Sequence, residues 1–157
     1  DLYPKIRCFQ IFVMYLTDFR KRKKKHSDNE DARPDSVSAP DISLQREKLL
    51  GIIEAQGESY ARHFIRTKAF KSIKDSISAK TDGVLTTAER SKAMGAISKA
   101  FDAYIADLKS QFGLTSDEAL LSCLLKCGFS TKECAICKGV TQNAIRTQKS
   151  RIKAKII

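Results

Sequence analysis

The chain contains 157 residues, with 29 Lys and Arg against 18 Asp and Glu and a formal net charge of +11. This length leaves room for one modest domain with arms, or for two small helical units. Few prolines and 30% charged residues are typical of a soluble, helix-rich protein. The net charge favours nucleic acid or an anionic membrane surface as partner, and the alternative is a basic protein without a polyanionic partner.

Residues 1–26 combine an apolar stretch at 6–19 with consecutive cations from Arg20 to Lys25. This order resembles the cytoplasmic end of a membrane helix, but the stretch falls short of the roughly 20 apolar residues that a span needs. It is interpreted as the stub of a longer membrane helix, an interfacial helix on an anionic membrane surface, or a helix docked on the core. The basic block is alternatively a solvated arm or an arm that binds nucleic acid.

Residues 27–43 hold acidic residues, serines and two of the three prolines, with few apolar side chains. This composition predicts a flexible, acidic linker. Residues 44–113 are predicted to form a helical connector, because apolar residues recur at helical spacing from Leu49 onward. Gly51 and Gly57 lower the helix propensity near its start and are candidate helix breaks.

A second connector helix is predicted after a turn at residues 81–83. Thr86 and Glu89 have the spacing of a capping box, in which each side chain accepts from the backbone amide of the other residue. Gly113 is suited to end this helix, because glycine readily adopts the left-handed conformation of a C-terminal cap. The aromatic residues at helical spacing are interpreted as core, and no strand pattern is present, so the predicted fold class is all-α.

Residues 114–157 follow the connector and are predicted to form a tri-helical helix-turn-helix unit. Their helix start and stop signals are the capping boxes Thr115 with Glu118 and Ser130 with Glu133, the turn glycines Gly128 and Gly139, and the helix cap Thr141. In the last helix, Ile145, Ile152 and Ile156 recur at helical spacing and are expected to face the core.

The charge of this unit favours double-stranded DNA as the partner. From Gly128 onward the sequence contains seven Lys and Arg but only one acidic residue, Glu133, so the exposed face of the unit is expected to be strongly positive. Asn and Gln pair with adenine, Arg pairs with guanine, and Lys and Thr suit phosphate. Base readout is therefore expected chiefly from Gln142, Asn143 and Arg146; the alternative is a charged, solvated helix. The complete predicted DNA-binding set is Lys132, Thr141, Gln142, Asn143, Arg146, Thr147, Lys149, Ser150, Arg151 and Lys153.

Three motifs carry a resemblance to a known family. They are Leu114-Thr115-Ser116-Asp117-Glu118, then Gly128-Phe129-Ser130-Thr131-Lys132-Glu133-Cys134-Ala135, then Ala144-Ile145, Ile152 and Lys155-Ile156. With this spacing, the segment resembles the LuxR/GerE-type helix-turn-helix. The resemblance implies a bacterial, sequence-specific transcription regulator whose DNA-contacting face includes Arg146, Thr147, Lys149 and Ser150. Gln148 replaces the family's usual histidine.

The wider layout is similar to Bacteroidetes regulators that carry tetratricopeptide repeats, one membrane helix, a basic juxtamembrane block, a helical connector and this DNA-binding unit. Residues 64–67 and 101–112 lie at the positions that the two connector helices occupy in those regulators. The resemblance implies that this chain is the C-terminal portion of such a regulator, or a short relative without the repeats. It also implies that the chain is cytoplasmic, either free or tethered to the inner face of the membrane. The family's last helix, which is often used for dimerisation, is absent because the chain stops at Ile157. The connector helices are therefore the candidates for the interface of a homodimer.

The sequence is also compatible with two other functions. One is a promoter-binding unit similar to region 4 of sigma factors, and RNA polymerase is a candidate partner. The other is a membrane-surface or scaffold helical protein whose helix-turn-helix no longer binds DNA. An enzyme is not expected, because no glycine loop for phosphate is present and neither His26 nor His63 is paired with a nucleophile motif.

The cysteines offer a further alternative. Their odd number and the lack of a convincing signal peptide predict reduced thiols in the cytoplasm. Four lie close together, at Cys123, Cys127, Cys134 and Cys137, which suggests a zinc site or a redox-sensing pair. Packing as small apolar side chains is favoured, because Cys134 and Cys137 fall where the family has buried apolar residues. No cofactor is therefore expected.

Overall fold

The computed structural model describes residues 39–80 and 83–156, which form seven α-helices and contain no strand. The helices are α1 (Ala39–Phe64), α2 (Lys68–Ser78), α3 (Thr87–Ala100), α4 (Asp102–Phe112), α5 (Ser116–Lys126), α6 (Thr131–Lys138) and α7 (Gln142–Ile156). The all-α fold class is confirmed for these residues. The described residues from Glu47 onward belong to one compact unit, and the contacts below belong to this unit.

Several predictions for the N-terminal part concern residues outside this description. These are the apolar stretch and basic block of 1–26 and most of the linker of 27–43. Helix α1 begins at Ala39, so the last linker residues are helical. Pro40 is compatible with this start, because an amide in the first turn of a helix has no acceptor within the helix. Across the described ranges, no helix combines the length and the hydropathy needed to cross a bilayer.

Helix α1 passes through both of its glycines without a break. Gly57 is buried, and a Cβ placed there would lie 2.6 Å from the ring of Tyr104. This glycine therefore allows close packing of α1 against α4. The chain breaks later, between Phe64 and Lys68, where the Thr67 hydroxyl accepts from the amide of Phe70 at 3.2 Å and caps α2.

The second connector helix is divided at Phe101, whereas the sequence predicted one helix from Thr86 to Gly113. Its capping box and its left-handed terminal glycine are present as predicted. The Phe101 amide donates to Ile97 at 3.0 Å, and its carbonyl accepts from Ile105 at 2.8 Å, so the helical hydrogen bonds continue through a bend. The fully buried Phe101 ring sits at this bend, which has neither a proline nor a glycine to mark it.

A single hydrophobic core joins the connector to the three C-terminal helices, from Ile53 in α1 to Ile156 in α7. An aromatic row passes through it, with centroid distances of 5.8 Å for Phe101–Phe64, 5.9 Å for Phe64–Phe70 and 5.5 Å for Phe70–Phe129. All three contacts are edge-to-face, the arrangement that aromatic rings prefer over face-to-face stacking. Phe129 lies in the turn between α5 and α6, so the connector packs directly against this turn.

A buried polar cluster lies beside the aromatic row. The Tyr104 hydroxyl donates to Glu54 Oε1 at 3.2 Å, and Glu54 also forms an ion pair with Lys126 at the end of α5. Burial, followed by the nearby negative charge of Glu54, raises the pKa of Tyr104 well above its usual value. Tyr104 therefore remains a neutral donor, and the cluster ties α1 to α4 and α5.

The contact between Gly57 and Tyr104 predicts opposite effects for two glycine substitutions in α1. Gly57→Ala should lower the free energy of unfolding by about 1–3 kcal/mol, because the added methyl overlaps the buried ring. Gly51→Ala, where an added Cβ meets nothing within 4 Å, should raise it by about 0.5–1 kcal/mol through helix propensity. Urea unfolding measures both, and similar values for the two variants would contradict the packing role of Gly57.

Candidate nucleic-acid interface

Helix α5 starts and ends as its local sequence predicts. Thr115 and Glu118 form a reciprocal capping box, with hydrogen bonds of 3.2 and 2.9 Å. At the other end, Gly128 has φ +85°, and the amide of Phe129 donates back to the carbonyl of Leu124 at 3.2 Å. These are features of a Schellman cap, in which a left-handed glycine lets the chain turn while the last carbonyls keep donors.

The short helix α6 is fixed at both ends in the same way. Ser130 and Glu133 form its capping box. Gly139 ends it with φ +67°, and the Thr141 hydroxyl accepts from the amide of Ala144 at 3.1 Å. The predicted cap of α7 is thus confirmed. Because only residues 139–141 separate the two helices, this turn restricts their relative orientation.

Helix α7 divides into a buried face and an exposed face. Ile145, Ile152 and Ile156 are buried, as the sequence predicted. On the opposite side, exposed residues recur every three or four positions, which places them on one stripe of the helix. We name this stripe the α7 outer face, and it comprises Asn143, Arg146, Thr147, Ser150 and Arg151.

The other predicted DNA-binding residues lie outside this face. Thr141 and Gln142 are exposed at the start of α7, and Lys132 is exposed on α6. Lys149 and Lys153 are half-buried on one flank of α7. The structure therefore gathers half of the predicted set on one stripe of α7, whereas the remaining residues lie elsewhere on α7, in its cap or on α6.

Two residues predicted to read bases contact each other directly. The Arg146 guanidinium donates to Asn143 Oδ1 at 2.8 Å, and the Arg146 carbonyl accepts from the hydroxyl of Ser150 at 3.2 Å. The side chains of Asn143 and Arg146 are exposed, so their mutual hydrogen bond can be exchanged for bonds to a partner at small net cost. Their arrangement places an amide and a guanidinium side by side near the start of α7.

A cluster around Lys138 connects α6 to the two neighbouring helices. The Lys138 side chain is only 6% exposed, and its ammonium lies 2.7 Å from Asp117 Oδ1 and 2.9 Å from Gln148 Oε1. The amide of Gln148 also donates to Asp117. Gln148 thus links α7 to both α5 and α6.

At least two of the seven cations that follow Gly128 therefore form ion pairs within the protein. Besides Lys138, Lys155 contacts Glu118 at 2.7 Å and the carbonyl of Gly113 at 3.3 Å. The sequence count of seven overstates the positive charge that this segment presents to a partner. The predicted DNA-binding set does not include Lys138 or Lys155. Its members are exposed, except for Lys149 and Lys153, which are half-buried.

Arg90 is a contact residue that sequence reasoning missed. It belongs to α3 in the connector, yet its Nη1 lies 3.4 Å from the carbonyl of Lys138, at the end of α6. A Cβ at Gly139 would overlap its guanidinium, so the glycine also provides space for Arg90. No local pattern signals a contact between residues so far apart in the chain.

The connector also contacts the start of α6. Lys74 of α2 lies 2.6 Å from Glu133 Oε1 and 4.8 Å from the centroid of the Phe129 ring. Burial acts to raise the pKa of Glu133, but hydrogen bonds from Lys74 and the Ser130 amide outweigh it, so this pKa is lowered. Both ends of α6 are thus held by residues of the connector.

The four cysteines of this segment are buried free thiols. Burial raises the pKa of Cys127 and Cys134 to about 12 and that of Cys137 to about 11, and it moves that of Cys123 higher still. They pack as small apolar groups in the core, and as a consequence their reactive thiolate forms are scarce at neutral pH. Within residues 39–80 and 83–156, no group of three or more His, Cys, Asp or Glu is placed to hold a metal ion.

The hydrogen bonds of Glu118 predict that this residue contributes to the loss of stability in acid. Burial acts to raise its pKa, but the hydrogen bonds from Lys155 and from the Thr115 amide outweigh it, so this pKa is lowered. A lowered folded-state pKa adds stability at any pH above the unfolded-state pKa, and this stability is lost as the pH falls through the unfolded-state pKa and then the folded-state pKa. Glu118→Gln should therefore lose less stability between neutral and acid pH, measured by urea unfolding across pH. An unchanged acid profile would contradict this role.

No family model matches the sequence, and no curated protein or solved structure is detectably similar to it. The LuxR/GerE-type resemblance of residues 114–156 therefore stays a prediction. The function proposed next rests on the placement and chemistry of the described side chains.

Proposed function

We propose that this chain is a transcription regulator that binds double-stranded DNA sequence-specifically through a C-terminal helix-turn-helix. In this proposal α6 and α7 are the two helices of the motif, and α7 enters the major groove. The observation that carries the proposal is the α7 outer face, a polar, exposed stripe opposite the buried isoleucines.

The composition of the α7 outer face fits a major groove. Thr147 and Ser150 are small and lie at its centre, and the exposed Ala154 continues the stripe. Small side chains allow the helix backbone to approach the base edges, while Asn143 and Arg146 supply the amide and guanidinium that pair with adenine and guanine. Base readout is therefore assigned to Asn143 and Arg146, with Gln142 at the entry of the helix.

Phosphate contacts are assigned to the cations around this face. Arg151 lies on the stripe itself, Lys149 and Lys153 lie on its flank, and Lys132 is exposed on α6. In a helix-turn-helix the first helix crosses the DNA backbone while the second occupies the groove, so cations are required on both. Such contacts anchor the protein without reading sequence and make the affinity depend on salt.

The proposal is tested by selecting binding sites from random DNA duplexes with the full chain. An enriched sequence motif is expected, and twofold symmetry in it would indicate that the protein binds as a dimer. Unselective binding that disappears at moderate salt would overturn the proposal, since a net charge of +11 alone accounts for that behaviour.

The variant Arg146→Ala tests whether this residue reads a base. If Arg146 reads a guanine, its loss should remove about 1–3 kcal/mol of discrimination at one base position and leave the others unchanged. The matched control is Lys92→Ala, which removes one positive charge from an exposed site on α3. Binding of each variant to single-position variants of the selected site measures the effect. Equal weakening on every sequence would contradict base readout by Arg146.

A further inference from the structure

We propose that Arg90 of the connector contacts a DNA phosphate next to the turn between α6 and α7. This inference rests on the proposed function. It extends the DNA-binding surface beyond the C-terminal segment to α3, which carries none of the residues predicted from sequence to bind DNA.

The position of Arg90 is fixed by the fold. Its Nη1 lies 3.4 Å from the carbonyl of Lys138, and its guanidinium lies where a side chain at Gly139 would otherwise stand. The amide of Leu85, shortly before α3, donates to the carbonyl of Ile136 at 3.2 Å, which holds the start of α3 against α6. The guanidinium is thereby placed against the turn that leads into α7.

The charges around this turn favour an anionic partner for Arg90. Lys138 is neutralised by Asp117 at 2.7 Å, so its own ammonium contributes little net charge there. Glu89, the acidic neighbour of Arg90, accepts from the Thr86 amide at 2.7 Å and lies 3.4 Å from Lys80. Arg90 is half-buried, so part of its side chain is accessible to a partner. Its guanidinium has five N–H donors, and the hydrogen bond to the carbonyl of Lys138 uses one of them, on Nη1.

The docking geometry of a helix-turn-helix places a DNA strand near this point. The first helix crosses the phosphate backbone, and the second begins at the base edges. The junction of α6 and α7 therefore lies where the chain passes from backbone to groove. A guanidinium beside this junction is suited to a phosphate oxygen, because its planar donor array matches phosphate geometry.

The test compares the salt dependence of binding for the wild type, Arg90→Ala, Arg90→Lys and Lys92→Ala on the selected DNA site. If Arg90 contacts one phosphate, a plot of log affinity against log salt should become less steep by about one unit in Arg90→Ala. Arg90→Lys should keep the wild-type slope, because a single positive charge remains. Lys92→Ala should also keep it, because this neighbour lies on another side of α3.

Different results separate the two proposals. A wild-type chain with no sequence-selective binding would overturn the proposed function, and the role of Arg90 with it. Selective wild-type binding with an unchanged slope in Arg90→Ala would overturn the phosphate contact alone. Weaker binding at an unchanged slope would show that Arg90 only supports the turn, and urea unfolding of the same variants would measure that support directly.

Discussion

The edge-to-face row of rings from Phe101 to Phe129 is the constraint on which the arrangement of the C-terminal helices depends. Phe129 lies between Gly128, which ends α5, and Ser130, which caps α6, so its ring is the buried part of a tight turn. Phe70 packs on it at 5.5 Å from α2. Each such contact contributes about 0.5–1.5 kcal/mol beyond the burial of its area. The connector is therefore part of the packing that sets the angle between α5 and α6.

Features governed by neighbouring residues could be predicted from sequence. The three capping boxes and the left-handed glycines Gly113, Gly128 and Gly139 occur where they were expected. A helix start or stop requires a few residues to satisfy a few backbone groups, so its pattern is local. The buried isoleucines of α7 follow from helical periodicity for the same reason. The exposed position of Asn143 and Arg146 then follows, because they lie opposite that face.

Features that depend on distant residues could not be predicted. Gly57 looked like a break in α1 because its propensity is low, but Tyr104 occupies the space that the missing side chain leaves. Phe101 bends a helix that no proline or glycine marks. The sequence count of cations after Gly128 included Lys138, but its ammonium is paired with Asp117 and its side chain is nearly buried. In each case the deciding partner lies on another helix, so tertiary packing outweighs local preference.

The cluster around Lys138 links the stability of the segment to the presentation of the α7 outer face. Asp117, Lys138 and Gln148 join the start of α5, the end of α6 and the middle of α7, and Arg90 adds α3 through the carbonyl of Lys138. Because the Lys138 ammonium is buried, loss of its carboxylate partner would leave an uncompensated charge rather than a weaker surface contact. Changes in this cluster would therefore alter both folding and the orientation of α7. The exposed outer face can vary with much less effect on stability, since surface substitutions usually change it by about 0.5 kcal/mol or less. The fold thus separates the residues that hold α7 in place from those proposed to read DNA.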